Sequence, residues 1–128
     1  MPKAHALVVD DNTKNVNVLA GLLSLEGVTS SLITDSRRLD AVLDELTAVD
    51  VVFLDLEMPG LNGFDVLEKL HSDPRFQDIP IVAYTVHTSE IDMAAQQGFH
   101  SFLGKPLDPD EFPDQLSRIL RGERVWSH

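Results

Sequence analysis

The chain contains no cysteine. Disulfide frameworks, thiolate zinc sites and cysteine nucleophiles are excluded together, and a reducing compartment fits that composition. Positive charge is scarce as well: 10 Lys and Arg stand against 21 Asp and Glu, a formal net charge of −11. Nucleic-acid backbones require a Lys/Arg footprint, so this chain by itself is expected to bind no nucleic acid. Long apolar runs are also missing. The longest near the N-terminus, Ala6 to Val9, ends at Asp10 and Asp11, far short of the ~20 residues that span a bilayer or the ~7–15 of a signal-peptide core. What is present is 128 residues, 43% hydrophobic and 24% charged, the composition and length of one globular domain of about 100–150 residues. The expectation is an acidic, cytoplasmic protein with no membrane segment, a single domain over 1–128 with its core at about 5–121 and a C-terminal tail at 122–128.

Short β-rich apolar runs alternate with longer stretches whose apolar residues recur at three and four, the pattern of a parallel sheet with helical crossovers. Strands are expected at 5–9, 28–33, 51–54, 81–85 and about 100–103. Val51-Val52-Phe53-Leu54 is apolar throughout, as a central strand covered on both faces should be. Helices are expected at about 13–26, with Asn12 as N-cap, and at about 36–48. A third carries Phe64, Leu67 and Leu70. A fourth opens on a Ser89/Asp92 capping box with only Ile91, Ala94 and Ala95 as its apolar face, and a fifth covers about 110–121 with Phe112, Leu116, Ile119 and Leu120 inward.

In an open parallel sheet the binding crevice forms at the carboxyl ends of the strands. Asp10 and Asp11 follow strand one, Asp55 follows strand three, Thr85 ends strand four and Lys105 follows strand five. These are the parts for Mg²⁺-assisted phosphoryl transfer: carboxylates for a hard cation, one carboxylate as nucleophile, a hydroxyl and an ammonium for phosphoryl oxygens. Two carboxylates ~4 Å apart repel by about 4 kcal/mol at an effective dielectric of 20, so their convergence asks for a cation. The five histidines, His5, His71, His87, His100 and His128, contain no i, i+4 pair and support no zinc site.

Over residues 5–121 the sequence resembles the receiver domain of two-component response regulators. Asp10-Asp11-Asn12 is similar to that family's acidic pair, and the segment from Asp55 through Met58, Pro59 and Gly63 resembles its D-x-x-M-P-x-x-x-G phosphoacceptor segment. Thr85 matches its Ser/Thr, Phe102 its switch aromatic, and Lys105-Pro106 its Lys-Pro pair, which in the family usually carries a cis peptide bond. The resemblance implies an α/β, flavodoxin-like fold: a doubly wound, five-stranded parallel sheet of order 2-1-3-4-5. It implies Asp55 as phosphoacceptor, with Mg²⁺ bound by Asp11, Asp55 and the backbone carbonyl of Glu57, and by Asp10 mainly through water. Lys105 and Thr85 would hold phosphoryl oxygens. A histidine kinase or histidine phosphotransfer protein would donate the phosphoryl group, and a downstream protein would read the face of helix four, strand five and helix five. Val86 departs from the family pattern, where alanine or glycine is commoner. The rival reading is a small Mg²⁺-dependent aspartyl-phosphate phosphatase or phosphotransferase, with Glu57 as its acid. Such enzymes often need a cap domain for which the chain has no room. A signalling module, not an enzyme, is therefore the expectation.

Overall fold

The computed structural model describes residues 4–46, 48–58, 61–86, 88–105 and 107–127. The turn at Pro59-Gly60, His87, His128 and the Lys105-Pro106 peptide bond lie outside the described residues. Parallel strands β1 (His5–Val9), β2 (Thr29–Ile33), β3 (Val51–Leu54), β4 (Ile81–Thr85) and β5 (Ser101–Gly104) stand in the order 2-1-3-4-5. Every residue of β3 and β4 is buried, whereas β2, at the sheet's edge, buries only Ile33. That difference explains why the central strands read as unbroken apolar runs.

Alternate residues of each strand feed two cores. Ala6, Val8, Phe53, Val82 and Tyr84 face Val16, Leu19 and Leu23 of α1 (Thr13–Leu25) and Phe112, Leu116 and Ile119 of α5 (Phe112–Leu120). Leu7, Val9, Val52, Leu54 and Ala83 meet the other core, built on α2 (Leu39–Glu45), α3 (Gly63–His71) and α4 (Ile91–Gln97). Asn12 caps α1 as expected, accepting from the Asn15 N–H at 3.0 Å. Gly27 follows that helix at φ 75°, a left-handed conformation that suits glycine.

Several boundaries differ from the sequence reading. The second helix begins with a 3₁₀ turn, Ser36–Arg38, and ends at Glu45. There the Arg75 guanidinium donates to the carbonyls of Leu43 and Leu46 at 2.8 and 3.1 Å, satisfying the helix's last acceptors. The Ser89/Asp92 box gives way to a 3₁₀ turn, Thr88–Glu90. Ser89 therefore lies inside a turn, and the N-cap of α4 falls to Glu90, which makes no side-chain capping bond. Ala95 is exposed, leaving Ala94 as the buried residue of α4. Leu120, expected inward, is 38% exposed because α5 closes there. Pro113 sits in the first turn of α5, where its missing N–H has no helical partner to lose.

Beyond α5 the chain returns to the sheet. A short sixth strand, β6 (Trp126–Ser127), pairs in parallel with β5, matching Phe102 to Trp126. Phe102 N–H donates to the Val125 carbonyl at 2.8 Å, and Val125 N–H donates to Ser101 Oγ at 3.0 Å. No helix among the described residues is long and apolar enough to cross a membrane.

Candidate functional site

Parallel register aligns the carboxyl ends of β1, β3, β4 and β5: Val9 pairs with Leu54, Leu54 with Ala83, and Thr85 with Gly104. The next residues along β1, β3 and β5 are Asp10, Asp55 and Lys105. Asp55 N–H donates to the Val9 carbonyl at 2.9 Å, and Lys105 N–H to the Thr85 carbonyl at 2.9 Å, so backbone bonds hold these positions in place. Carboxylate oxygens of Asp10, Asp11 and Asp55 lie within 4.8 Å of one another. Asp10 and Asp55 are buried and Asp11 is exposed, so the cluster opens to solvent on one side.

Gly63 has a steric reason to be glycine. A Cβ on Gly63 would lie 2.6 Å from the Asp55 carbonyl oxygen and 2.6 Å from the Leu56 Cα. Only a residue without a side chain lets α3 begin so close to the backbone that carries Asp55. Asn62 caps that helix by accepting from the Phe64 N–H at 2.7 Å, and Gly63 N–H donates to the Leu56 carbonyl at 3.1 Å. Before that helix Glu57 pairs antiparallel with Asn62 and Met58 with Leu61.

Asp10 is wholly buried and has three donors. Its Oδ1 accepts from the Asn12 N–H at 2.9 Å, while Oδ2 accepts from the Tyr84 hydroxyl at 2.7 Å and from Lys105 Nζ at 2.8 Å. Burial pushes the Asp10 carboxyl up, but the bonds from Lys105, Tyr84 and the Asn12 amide outweigh it and hold the group below the usual carboxylate range. Lys105 Nζ also lies 3.4 Å from Asp55 Oδ2 and 4.2 Å from the centre of the Tyr84 ring. Burial, followed by the bond to Asp10 and the surrounding carboxylates, raises the Tyr84 hydroxyl far above its ordinary value, so it remains a donor.

Residues 6–117 match the family described as response regulator receiver domain. The chain belongs to that family. As a receiver domain it is a component of two-component signalling, which implies a kinase partner, and the family is typically a signalling module rather than a catalytic enzyme. A two-component response regulator of Oryza sativa subsp. japonica, ORR5, is 27% identical over 119 residues, covering 91% of this receiver domain and 89% of that protein. The DNA-binding response regulator MtrA of Mycobacterium tuberculosis is 33% identical over 121 residues, covering 93% of this chain and 51% of that protein. The receiver domain thus spans about half of that relative. Chemotaxis response regulator CheY4 of Vibrio cholerae superposes with a TM-score of 0.81 at 24% identity, covering 92% of this chain and 99% of that one, and so shares the fold.

Of the five strand-end residues singled out in the sequence, Asp10, Asp11, Asp55 and Lys105 bring their side chains together in this receiver domain, and Thr85 is tied to Lys105 through its backbone carbonyl. Thr85 is buried at the end of β4, and Val86 beside it is 62% exposed. Phe102 stands apart from the carboxylates, wholly buried in β5, with its ring stacked on Trp126 at 6.2 Å and 12°. Sequence reasoning missed Tyr84. One signal was available: it is the only tyrosine, it lies in the expected strand 81–85, and a buried hydroxyl needs a polar partner.

Proposed function

We propose that Asp55 accepts a phosphoryl group from a phosphohistidine of a histidine kinase or histidine phosphotransfer protein in the cytoplasm. The observation carrying this reading is the convergence of three carboxylates within 4.8 Å, with Lys105 reaching both Asp10 and Asp55. One ammonium answers one of three negative charges, and the donors are all oxygens, a set that fits a hard divalent cation. Asp11 and Asp55, with the Glu57 backbone carbonyl, would hold Mg²⁺, and Asp10 would act mainly through water. Bound there, Mg²⁺ supplies charge neutralisation at the phosphoryl oxygens. An Asp55 carboxylate oxygen attacks phosphorus and the bond from phosphorus to the donor nitrogen breaks. The electron pair stays on the imidazole. Lys105 and the Thr85 hydroxyl hold phosphoryl oxygens.

The consequence is read at the face of α4, β5 and α5. Thr85 pairs with Gly104 and Ala83 with Phe102, so a shift of the β4 end toward the phosphoryl group bears on the strand carrying Phe102. Phe102 would relay that shift to a downstream protein. Acetyl phosphate with Mg²⁺ should add one phosphoryl group by intact mass, on Asp55 alone, and Asp55→Asn should abolish it while the far-UV spectrum stays unchanged. Label retained on another residue refutes the assignment. Many turnovers of unrelated phosphate esters would instead make the chain an enzyme.

A further inference from the structure

The Tyr84 hydroxyl has no part in the chemistry above, yet it shares one oxygen with the residue that does. Both Tyr84 Oη and Lys105 Nζ donate to Oδ2 of Asp10, at 2.7 and 2.8 Å. Lys105, with 8% of its side chain exposed, is cradled between that oxygen, Asp55 Oδ2 at 3.4 Å and the face of the Tyr84 ring. To hold a phosphoryl oxygen on Asp55, the ammonium must move toward Asp55 and loosen its bond to Asp10. A wholly buried carboxylate left without a donor on that oxygen would oppose the move.

We propose that Tyr84 is a positioning residue that keeps Asp10 Oδ2 bonded while Lys105 moves to the phosphoryl group. It acts through Asp10 and Lys105 and touches no reacting atom. The inference rests on the phosphoacceptor reading of Asp55. Geometry suits the task because the ring cannot follow the lysine. Tyr84 is 1% exposed within β4, and its ring meets Phe53 edge-on at 6.2 Å and 82°, leaving the hydroxyl aimed at one place. The same ring offers the ammonium an apolar, electron-rich face along which to move.

The test is the rate at which acetyl phosphate labels Asp55 at saturating Mg²⁺, followed by intact mass, in a double-mutant cycle of Tyr84→Phe and Lys105→Ala. Tyr84→Phe should slow labelling about tenfold, the size expected for one hydrogen bond to a charged group. Added to Lys105→Ala, it should cost nothing further, because no lysine then leaves Asp10. A purely structural role for the hydroxyl would slow both backgrounds equally, and that result overturns the proposal, as does an unchanged rate in the wild-type background. A wild type that takes no label at all refutes the phosphoacceptor reading instead. Since Tyr84 is the only tyrosine, biosynthetic 3-fluorotyrosine provides a readout that leaves the fold intact. Its ¹⁹F resonance should shift on phosphorylation as the ammonium leaves the ring. An unmoved resonance in fully labelled protein overturns the proposal even if Tyr84→Phe fails to fold.

Discussion

Helices α1 and α4 both follow strands that end at the acidic site, yet they are tied down very differently. α1 has 13 residues, a side-chain cap at Asn12, and Val16, Leu19 and Leu23 wholly buried. Each of those side chains contributes roughly 1.5–3 kcal/mol by burial. α4 has seven residues, no side-chain cap at Glu90, and Ala94 as its buried residue, while Met93 is 53% exposed. The methyl of Ala94 supplies under about 1 kcal/mol. The lesson is a division of labour: Asp10 and Asp11 lead into a helix that cannot shift without emptying a core, whereas Thr85 leads into one whose displacement uncovers only Ala94 and the partly buried Ile91.

The largest effect is expected outside both helices, from Gly63→Ala at the start of α3. A methyl 2.6 Å from two backbone atoms of the Asp55 segment must push α3 or the segment aside. The expected loss is about 1–3 kcal/mol in urea unfolding, with slower Asp55 labelling. Wild-type stability in the variant would mean that α3 starts farther from Asp55.

Acid should distinguish the halves next. Asp10 titrates below its unfolded value of about 3.9, so its contribution is complete above that value and is lost as pH falls through the depressed one. Melting followed from pH 7 down to about 2 should therefore show a steep acid limb. Asp10→Asn should lower stability at pH 7 and flatten that limb, since the amide carries no charge to lose. A limb of unchanged slope would assign acid sensitivity to other carboxylates.

The caps give the smallest and cleanest contrast. Asn12→Ala should cost about 1 kcal/mol, because the Asn15 N–H loses its acceptor. Ser89→Ala should stay within about 0.5 kcal/mol, since Ser89 lies in the 3₁₀ turn and not at the helix mouth. Equal costs would restore the capping box that the sequence suggests.

Much of this arrangement was legible in the residues, for a physical reason. Central parallel strands must be apolar on both faces, so β1, β3 and β4 announce themselves and their ends are easily found. A strand end is then the only place a run such as Val51 to Leu54 can deliver an Asp. What escaped was set by neighbours distant in sequence. The bond from Tyr84 to Asp10 joins residues 74 apart, and although a buried hydroxyl asks for a polar partner, nothing local says that the partner is Asp10. The two residues of β6 are too few to show a period, and they pair only because the edge of β5 offers them a ladder.

That last pairing also makes an optical instrument of the chain. Trp126 is its only tryptophan, and the indole lies face to face with Phe102 on the outermost ladder of the sheet. All tryptophan emission therefore comes from one half-buried ring beside β5, the strand that leads to Lys105. Its wavelength and quenching by iodide report the hydration of that edge without any attached dye, so fraying of the C-terminal strand can be followed by emission while far-UV dichroism follows melting of the core.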